Sequence, residues 1–503
     1  MSIGDYIDDW QQQILQQVTQ YFEEQGQEAY LVGGSVRNLL WGEPDLDWDI
    51  ATTGDAPKLA RKLANKLNGY YAYMNTKASR VTVKQAGKEL QIDISPRHGH
   101  SIEEDLHRRD FTINAIALSL SSFALYLSGG TDLTWIDPLN GRADIQARRL
   151  RAVDDDIFRH DPLRMLRAIR FMMLYGLSMD EQTEYLLTRD AGLLLQAAPE
   201  RIHDELYAIL RPDGATERLR LLDKYGLFTT LMPEFIPTRG MPQPFLHHWD
   251  VLQHSLEAVA ALERLAHELQ QEPEQARHSA LDIWENGDVL ELRTLLYEAE
   301  QQGIFQFARL TTPTLKLAAL LHDVGKSVTY VNEGNGHIHF YHHPQAGVPL
   351  ARQIMQRLSA STQDKRIVQQ VVANHMRPGQ LSNDKVTPRA IRRYFTELGP
   401  TGIYVALIAL SDHLAMRGPD PLTEHWARHL ATVRLLCHSY IRERDRIIPP
   451  RLLQGEELIR HLNLEPGPIV GQLLEQIAEA QAEGKIRSKA EALWFAEELA
   501  KQA

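Results

Sequence analysis

Residues 31–52 read LVGGSVRNLLWGEPDLDWDIAT. Gly33 and Gly34 follow a short apolar run, and without a Cβ they let the backbone approach a ligand closely. Ser35 is a candidate cap for a helix through Val36, Arg37, Leu39 and Leu40, whose free N–H groups would face an anion. Beyond it, Asp45, Asp47 and Asp49 alternate in DLDWDI, a strand pattern that puts them on one face. Carboxylates at that spacing suit Mg²⁺, which usually sits between one or two protein carboxylates and substrate phosphates. A glycine turn or an acidic edge strand alone is commonplace. The two in this order, within about twenty residues, point to a nucleotide site.

The chain has 503 residues, 43% apolar and 24% charged, with a formal net charge of −12. That length predicts roughly two to four domains with ample core. An acidic chain that binds nucleic acid must concentrate its basic residues locally, because its overall field repels phosphate. Cys437 is the single cysteine, which excludes an intrachain disulfide and a Cys-rich zinc site. No apolar run reaches membrane-spanning length, and the acidic start MSIGDYIDDW is unlike a signal or transit peptide. The expected location is the cytoplasm, with no membrane and no obligatory protein partner.

Around the glycines, Ile7, Trp10, Ile14, Val18 and Phe22 recur at helical spacing over residues 5–28. Residues 30–32 read as a strand, 56–67 as a helix begun by Pro57, and 70–74, 80–84 and 90–94 as strands. The whole arrangement resembles the DNA polymerase beta nucleotidyltransferase superfamily, and more narrowly the class II tRNA nucleotidyltransferase and bacterial poly(A) polymerase family. In that family a GGxVRD motif holds the triphosphate and a DxD pair holds the metals. The resemblance therefore implies triphosphate contacts for Gly33, Gly34 and Arg37, and catalytic Mg²⁺ ligation by Asp47 and Asp49. Asn38 stands where the family usually has Asp. A third carboxylate often comes from a later strand there; Asp93, in LQIDIS, is the candidate, and it reads equally well as a solvated strand-end aspartate.

Ser101 and Glu104 make a capping-box pattern, and Arg108, Arg109 and Asp110 precede an apolar stretch read as a helix. Taken alone, RRD is an ordinary solvated helix start. The full string RRDFTINA resembles the family's second signature, which implies that Asp110 and Asn114 contact the ribose side of the nucleotide and Arg109 the phosphates. Residues 95–106 leave little room for the longer flexible loop of many CCA-adding members, and in the family its loss goes with enzymes that add CC and stop. WIDPLNGRADIQARRL, residues 135–150, resembles the DPxxGxxDL connector, with Asp137 and Gly141 shaping a turn.

Residues 161–171 read DPLRMLRAIRF. On a helix Asp161, Arg164 and Arg167 share a face. The carboxylate offers acceptors and the guanidinium a rigid fork of donors, so a fixed pair can imitate a Watson–Crick partner. Spacing alone fits an ordinary intrahelical ion pair as well. The family's EDxxR, in which Asp and Arg act as the protein template, is matched here with His160 in place of Glu. PERIHDEL, residues 199–206, matches the family's ERIxxEL helix, where Glu200 and Arg201 would brace the reading helix.

Farther on lie His254, the dyad His322–Asp323 in LLHDVGK, His343, His375 and Asp412. Imidazoles and carboxylates spread over several helices suit a divalent metal. The set resembles the HD superfamily of metal-dependent phosphohydrolases. It implies His254, His322, Asp323 and Asp412 as ligands of a divalent metal of unspecified identity, His343 and His375 as second-metal ligands, and Lys326 near the substrate phosphate. Residues 263–309 are acidic and helical and read as a surface elaboration. Residues 448–493 resemble the family's tRNA-gripping tail, with Arg451, Arg460, Lys485, Arg487 and Lys489 available to phosphates.

The expected fold is α+β: a small polymerase-beta-like mixed sheet head (1–150), then a mostly helical body. The body comprises a base-reading neck (151–240), an HD-type domain (241–440) and a tRNA-contacting tail (441–503). The expected function is template-independent addition of C or A, or both, from CTP and ATP to the tRNA 3′ end, with an HD phosphohydrolase activity. A poly(A) polymerase is the alternative within the family. An HD phosphohydrolase whose head only binds RNA is the alternative from another class.

Overall fold

The computed structural model describes residues 6–43, 46–75, 78–272, 279–334, 337–383 and 386–502; Asp45 lies outside the described residues. The chain forms two compact units, 1–197 with 225–227, and 198–224 with 228–503. The segment 151–240, read from sequence as one neck, is divided between them.

In the first unit, α1 (Asp9–Glu24) begins at Asp8, whose carboxylate accepts from Gln11 N while the Gln11 side chain accepts from Asp8 N. That cap, rather than the apolar period, sets the helix start. Next come β1 (Ala29–Val32), α2 (Gly34–Trp41), β2 (Asp47–Thr52), α3 (Ala56–Lys66), β3 (Tyr70–Asn75), β4 (Ala78–Gln85) and β5 (Lys88–Pro96). They are followed by α4 (Ile102–Leu106), β6 (Ala117–Ser119), α5 (Leu120–Leu127), β7 (Trp135–Ile136), α6 (Gly141–Gln146), α7 (Ile157–His160) and α8 (Arg164–Tyr175). The seven strands lie in the order β3-β4-β5-β2-β1-β6-β7. β2 pairs parallel with β5, and the other neighbours run antiparallel. Trp48 and Ile50 of β2, and Leu90, Ile92 and Ile94 of β5, are buried. Strand alternation then puts Asp47, Asp49 and Asp93 on the opposite face.

Three local expectations change. Ser35 does not cap α2; Gly33 holds the cap position, and the Ser35 hydroxyl instead donates to Asp47 O and accepts from Asp49 N (2.8 and 2.7 Å). The stretch after RRD is not a helix at first. It makes a 3₁₀ turn over Thr112–Asn114, and then β6 takes the edge of β1; so short a mostly apolar stretch has no clear period by which to tell these apart. Finally, Asp161 is not on the helix of Arg164. It has extended backbone after α7, and its Oδ1 accepts from Leu163 N (3.2 Å), so α8 starts at Arg164.

In the second unit the helices Val251–Gln270, Pro313–Leu321, Thr362–Asn374 and Thr401–Arg417 pack on one another. The Thr401–Arg417 helix buries every residue from Gly402 to Ser411, as a central helix must. The stretch read as a surface elaboration contributes to this core. Its helix Asp288–Gln301 buries Leu292, Leu295 and Leu296, packs on Glu424–Arg442, and is tied there by Arg434 to Glu291 (2.6 Å). Glu200, expected to brace the reading helix, accepts from Ser359 Oγ (2.9 Å). The last three helices, Gly455–Leu462, Pro468–Ala482 and Lys489–Gln502, enclose a separate cluster around Leu458, Leu473, Ile477 and Ala492. Among the described residues no single helix is long and apolar enough to cross a membrane.

Candidate active sites

The head site is built where β1 turns into α2 beside β2 and β5. Gly33 has φ +67°, and a Cβ there would lie 3.0 Å from Arg109 Nη1 and 3.1 Å from Asp49 Oδ2. The position therefore favours glycine both for its backbone and for the room it leaves. Asp49 is the register partner of Asp93 across β2–β5. Arg80 on β4 grips Asp93 with Nε to Oδ1 (2.7 Å) and Nη2 to Oδ2 (2.8 Å). These hydrogen bonds, joined by the charges of Asp93, Asp47 and Asp49, raise the Arg80 pKa despite partial burial. Asp47 is exposed and Asp49 half-buried on the same face. Two carboxylates open to solvent, with a third alongside, suit a hard divalent cation.

Arg37 takes an unexpected place. It is buried, donates from Nη1 to Asn114 Oδ1 (2.6 Å) and from Nη2 to Asn38 Oδ1 (2.9 Å) and Tyr175 OH (2.7 Å), and lies over the Tyr175 ring. Asn114 in turn donates to Asp110 Oδ1 (3.0 Å), and Arg167 closes on Asp110 Oδ2 through Nε and Nη2 (2.9 and 2.7 Å). Burial pushes the Asp110 carboxyl up, but the Arg167 charge and the bonds from Asn114, Arg167 and Phe111 N outweigh it and hold the carboxyl below its ordinary range. One buried chain thus joins α2, the RRDFTINA turn and α8. Arg164 adds to it by donating to Arg108 O (2.7 Å) and Arg109 O (3.2 Å). Arg109 is held by Asp105 (3.0 Å). Gly141, whose N–H donates to Asp137 Oδ1 (2.7 Å), is packed so tightly on this turn that a Cβ would lie 2.1 Å from Thr112 O.

The second unit holds a compact cluster of imidazoles and carboxylates. His254 Nε2 lies 3.0 Å from Asp412 Oδ1 and 3.3 Å from Asp323 Oδ2, and His322 Nε2 lies 3.2 Å from Asp323 Oδ2. The other oxygen, Asp323 Oδ1, faces His343 Nε2 (3.2 Å) and His375 Nε2 (3.5 Å). All six residues expected to bind metal are therefore together, in two groups that share Asp323. His322, His343 and His375 each have Nδ1 within hydrogen-bond distance of a backbone carbonyl, on Ala319, Phe340 and Val372 (2.7, 2.9 and 3.0 Å). Donating to those carbonyls fixes the tautomer that turns an Nε2 lone pair inward. Burial pulls His322 down, but the Asp323 and Asp412 charges overcome it and hold it up at about 10. A buried carboxylate on Asp323 and a half-buried one on Asp412, facing oriented imidazoles, fit a divalent metal. Lys326 Nζ reaches Asp323 Oδ2 (2.6 Å) and Gln243 Oε1 (2.7 Å). A cavity of about 360 Å³ opens on the cluster.

Residues 29–151 match a family described as the poly A polymerase head domain, residues 176–238 one described as the probable RNA- and SrmB-binding site of polymerase A, and residues 292–417 the HD domain. The chain is 33% identical to the A-adding tRNA nucleotidyltransferase of Deinococcus radiodurans, over 94% of this chain and 96% of that protein. It is 30% identical to the CC-adding tRNA nucleotidyltransferase of Thermus thermophilus, over 93% of each. The chain belongs to the tRNA nucleotidyltransferase family. Two solved structures share its fold: a CCA-adding enzyme in complex with ATP (TM-score 0.63, 22% identity, 99% of this chain and 97% of that one) and the Thermotoga maritima CCA-adding enzyme in complex with tRNA (TM-score 0.57, 21% identity, 100% and 98%).

As a tRNA nucleotidyltransferase, the chain carries site residues that motif reading passed over. Arg80 becomes visible only through the β4–β5 register, which sets it opposite Asp93. Tyr175, at the end of α8, holds Arg37 across 138 residues of sequence. In the HD cavity His247, His413 and His429 join the expected residues. Burial drives His247 and His413 down to about 4 and His429 to about 3. Only His413 offered a sequence signal, by following Asp412 directly.

Proposed function

We propose that this enzyme transfers nucleotides to the 3′ end of tRNA with Mg²⁺ at Asp47 and Asp49, and that it adds CC and stops. The observation that carries the CC reading is the connection from β5 to α4. It spans residues 97–101 and is tied down by Arg97 Nη2 to His100 O (2.7 Å), His98 N to Asp105 Oδ1 (2.9 Å) and His100 N to Glu104 Oε2 (2.8 Å). That leaves no long mobile loop to switch base preference.

Gly33 and Gly34 open room for the triphosphate, and Arg109 sits over Gly33 where it can meet a phosphate. Asp110 and Asn114, fixed by Arg167 and Arg37, present the ribose side. Asp161 and Arg164 read the base edge, with Arg164 turning from the Arg108 and Arg109 carbonyls to do so. Bound Mg²⁺ supplies charge neutralisation at the α-phosphate and activation of the attacking 3′-hydroxyl. Asp93 is the third carboxylate of this set. Arg37 serves by positioning Asn114. Basic residues of the tail meet the tRNA backbone, and the enzyme works in the cytoplasm.

The test is single-nucleotide addition to tRNA lacking its 3′ CCA. CTP alone should extend the RNA by two residues, and adding ATP should extend it no further. Extension of a CC-ended tRNA by a single A overturns the CC reading and favours the second one, A addition, to which the likeness to the Deinococcus enzyme lends weight. Long A tails would favour a poly(A) polymerase. Asp47→Ala should abolish addition while tRNA binding persists; near-normal turnover would refute the metal assignment.

The HD cluster is proposed as a metal-dependent phosphohydrolase centre. The six ligands hold the metal, and Lys326 offers the substrate phosphate a cation.

A further inference from the structure

The face of the head sheet that bears Asp47, Asp49 and Asp93 continues past them to the outermost strand. Register sets two rows of side chains across it from β2 to β3. One row runs Asp49, Asp93, Arg80, Ala72; the other runs Asp47, Gln91, Thr82, Tyr70. The alternate residues Trp48, Ile92 and Val81 are buried on the opposite face, where α3 packs on β3, β4 and β5. The first row is charged. The second is neutral beyond Asp47: an amide, a hydroxyl and, on the edge strand, a phenol ring. Tyr70 is 69% exposed. A single exposed ring is commonplace; its place in this row gives it meaning. With strands about 4.8 Å apart, its backbone stands about 14 Å from that of Asp47.

The geometry of phosphoryl transfer says what passes along the second row. The triphosphate, placed at Gly33 and Arg109, lies on the β1 flank of β2. Attacking and leaving oxygens stay roughly in line, on opposite sides of the phosphorus. With pyrophosphate leaving on the β1 flank, the RNA 3′-hydroxyl enters from the β5 flank. The RNA behind that hydroxyl then lies over β5, β4 and β3. The neutral row suits it. That row keeps the RNA phosphates away from the carboxylates of Asp49 and Asp93, offers a ribose hydroxyl the Thr82 side chain, and ends in a ring on which a base can stack.

We propose that the open face of β5, β4 and β3 is the path of the RNA 3′ end, and that Tyr70 positions the substrate by stacking on an unpaired base at that end. The proposal rests on the placement of the triphosphate at Gly33 and Arg109. Every base has a π-face, so the ring orders the strand without selecting its sequence. Base selection is left to the pocket of the incoming nucleotide.

The experiment measures nucleotide addition to tRNA lacking its 3′ CCA in Tyr70→Ala, Tyr70→Trp and Tyr73→Ala. Tyr73 is the control. It is 58% exposed on the same strand, but its register partner Ser79 is buried, so it belongs to the other face. Tyr70→Ala should raise KM for tRNA by about tenfold, equivalent to one lost base–aromatic stack, and leave KM for CTP within about twofold. Tyr70→Trp keeps a stacking ring and should stay near wild type, as should Tyr73→Ala. A merely structural loss would move both KM values together and lower the thermal midpoint. Independently, tRNA ending in 5-iodouridine, a base that photocrosslinks to a ring stacked on it, should crosslink to wild type at Tyr70 when irradiated without CTP. Peptide mass spectrometry maps the position. An unchanged KM for tRNA in Tyr70→Ala, equal losses in Tyr70→Ala and Tyr73→Ala, or a crosslink confined to residues outside β3 overturns the proposal. Arg109→Met tests the underlying placement separately. If KM for CTP does not rise in that variant, the triphosphate lies elsewhere, and the crosslink alone decides the path of the RNA.

Discussion

Asp93 stands opposite Asp49 in the parallel register of β2 and β5, and both of its oxygens are held by Arg80. The two partners are each about a third exposed, at 32% and 30%, so the pair adds less than about 1 kcal/mol to stability. Its consequence is for metal binding, since Arg80 competes with a cation for Asp93. Arg80→Met should leave thermal unfolding nearly unchanged and lower the half-activating Mg²⁺ concentration for nucleotide addition by about threefold or more. Asp93→Asn should lower kcat by about a hundredfold. An identical Mg²⁺ titration in Arg80→Met would show that Asp93 never meets the metal.

Asp110 is buried and receives Arg167 on one oxygen and Asn114 on the other. Because its folded pKa is depressed below 3.8, the stability it contributes is complete above the unfolded value and is lost as pH falls through the folded one. Arg167→Met removes the main lowering influence and leaves burial, which acts upward. Urea unfolding of that variant near neutral pH should show a loss of about 2–3 kcal/mol, and the deficit relative to wild type should shrink as pH falls through the carboxylate range, because the acid-labile contribution of Asp110 is already gone. Parallel stability-against-pH curves for the two proteins would contradict the coupling.

The parts of this molecule that sequence disclosed are those where local pattern and chemistry coincide. The alternation through Trp48 and Ile50 set Asp47 and Asp49 on one strand face, and the spread of His and Asp over the later helices marked residues that the fold gathers into candidate metal-ligand groups. What stayed hidden depended on distant backbone. Ser35 looked like a cap because its neighbours do, but its hydroxyl is claimed by the β2 backbone at Asp47 and Asp49. Asp161 looked helical because its spacing to Arg164 is helical, while its own carboxylate makes the turn that starts the helix. The motif drew attention to Arg37 for a phosphate, but its bonds to Tyr175 and Asn114 come only from the tertiary fold.

Arg164 donates to the carbonyls of Arg108 and Arg109, and burial lowers its pKa against the opposing charges of Asp110 and Asp161. A planar fork is what a base edge requires, and a point charge does not replace it. Arg164→Lys should therefore keep nucleotide addition measurable while relaxing selection. The ratio of kcat/KM for CTP over UTP is expected to fall by about ten- to a hundredfold, equivalent to one bidentate contact. If the ratio holds and only total activity drops, Arg164 supports the RRD turn and does not read bases.

Asp323 is the residue common to both groups of the HD cluster, with Oδ2 toward His254 and His322 and Oδ1 toward His343 and His375. The two groups should therefore respond differently to substitution. His375 serves one group only, so His375→Ala should retain a metal at the His254, His322 and Asp412 side and lose its neighbour. Asp323→Ala removes a ligand from both and should leave the protein essentially metal-free, because an incomplete ligand shell binds too weakly to survive dialysis. Metal content measured by elemental analysis after reconstitution, on each variant against wild type, separates these outcomes without reference to any enzymatic activity. Equal metal content in the Asp323 and His375 variants would show that the two oxygens of Asp323 do not serve two ions.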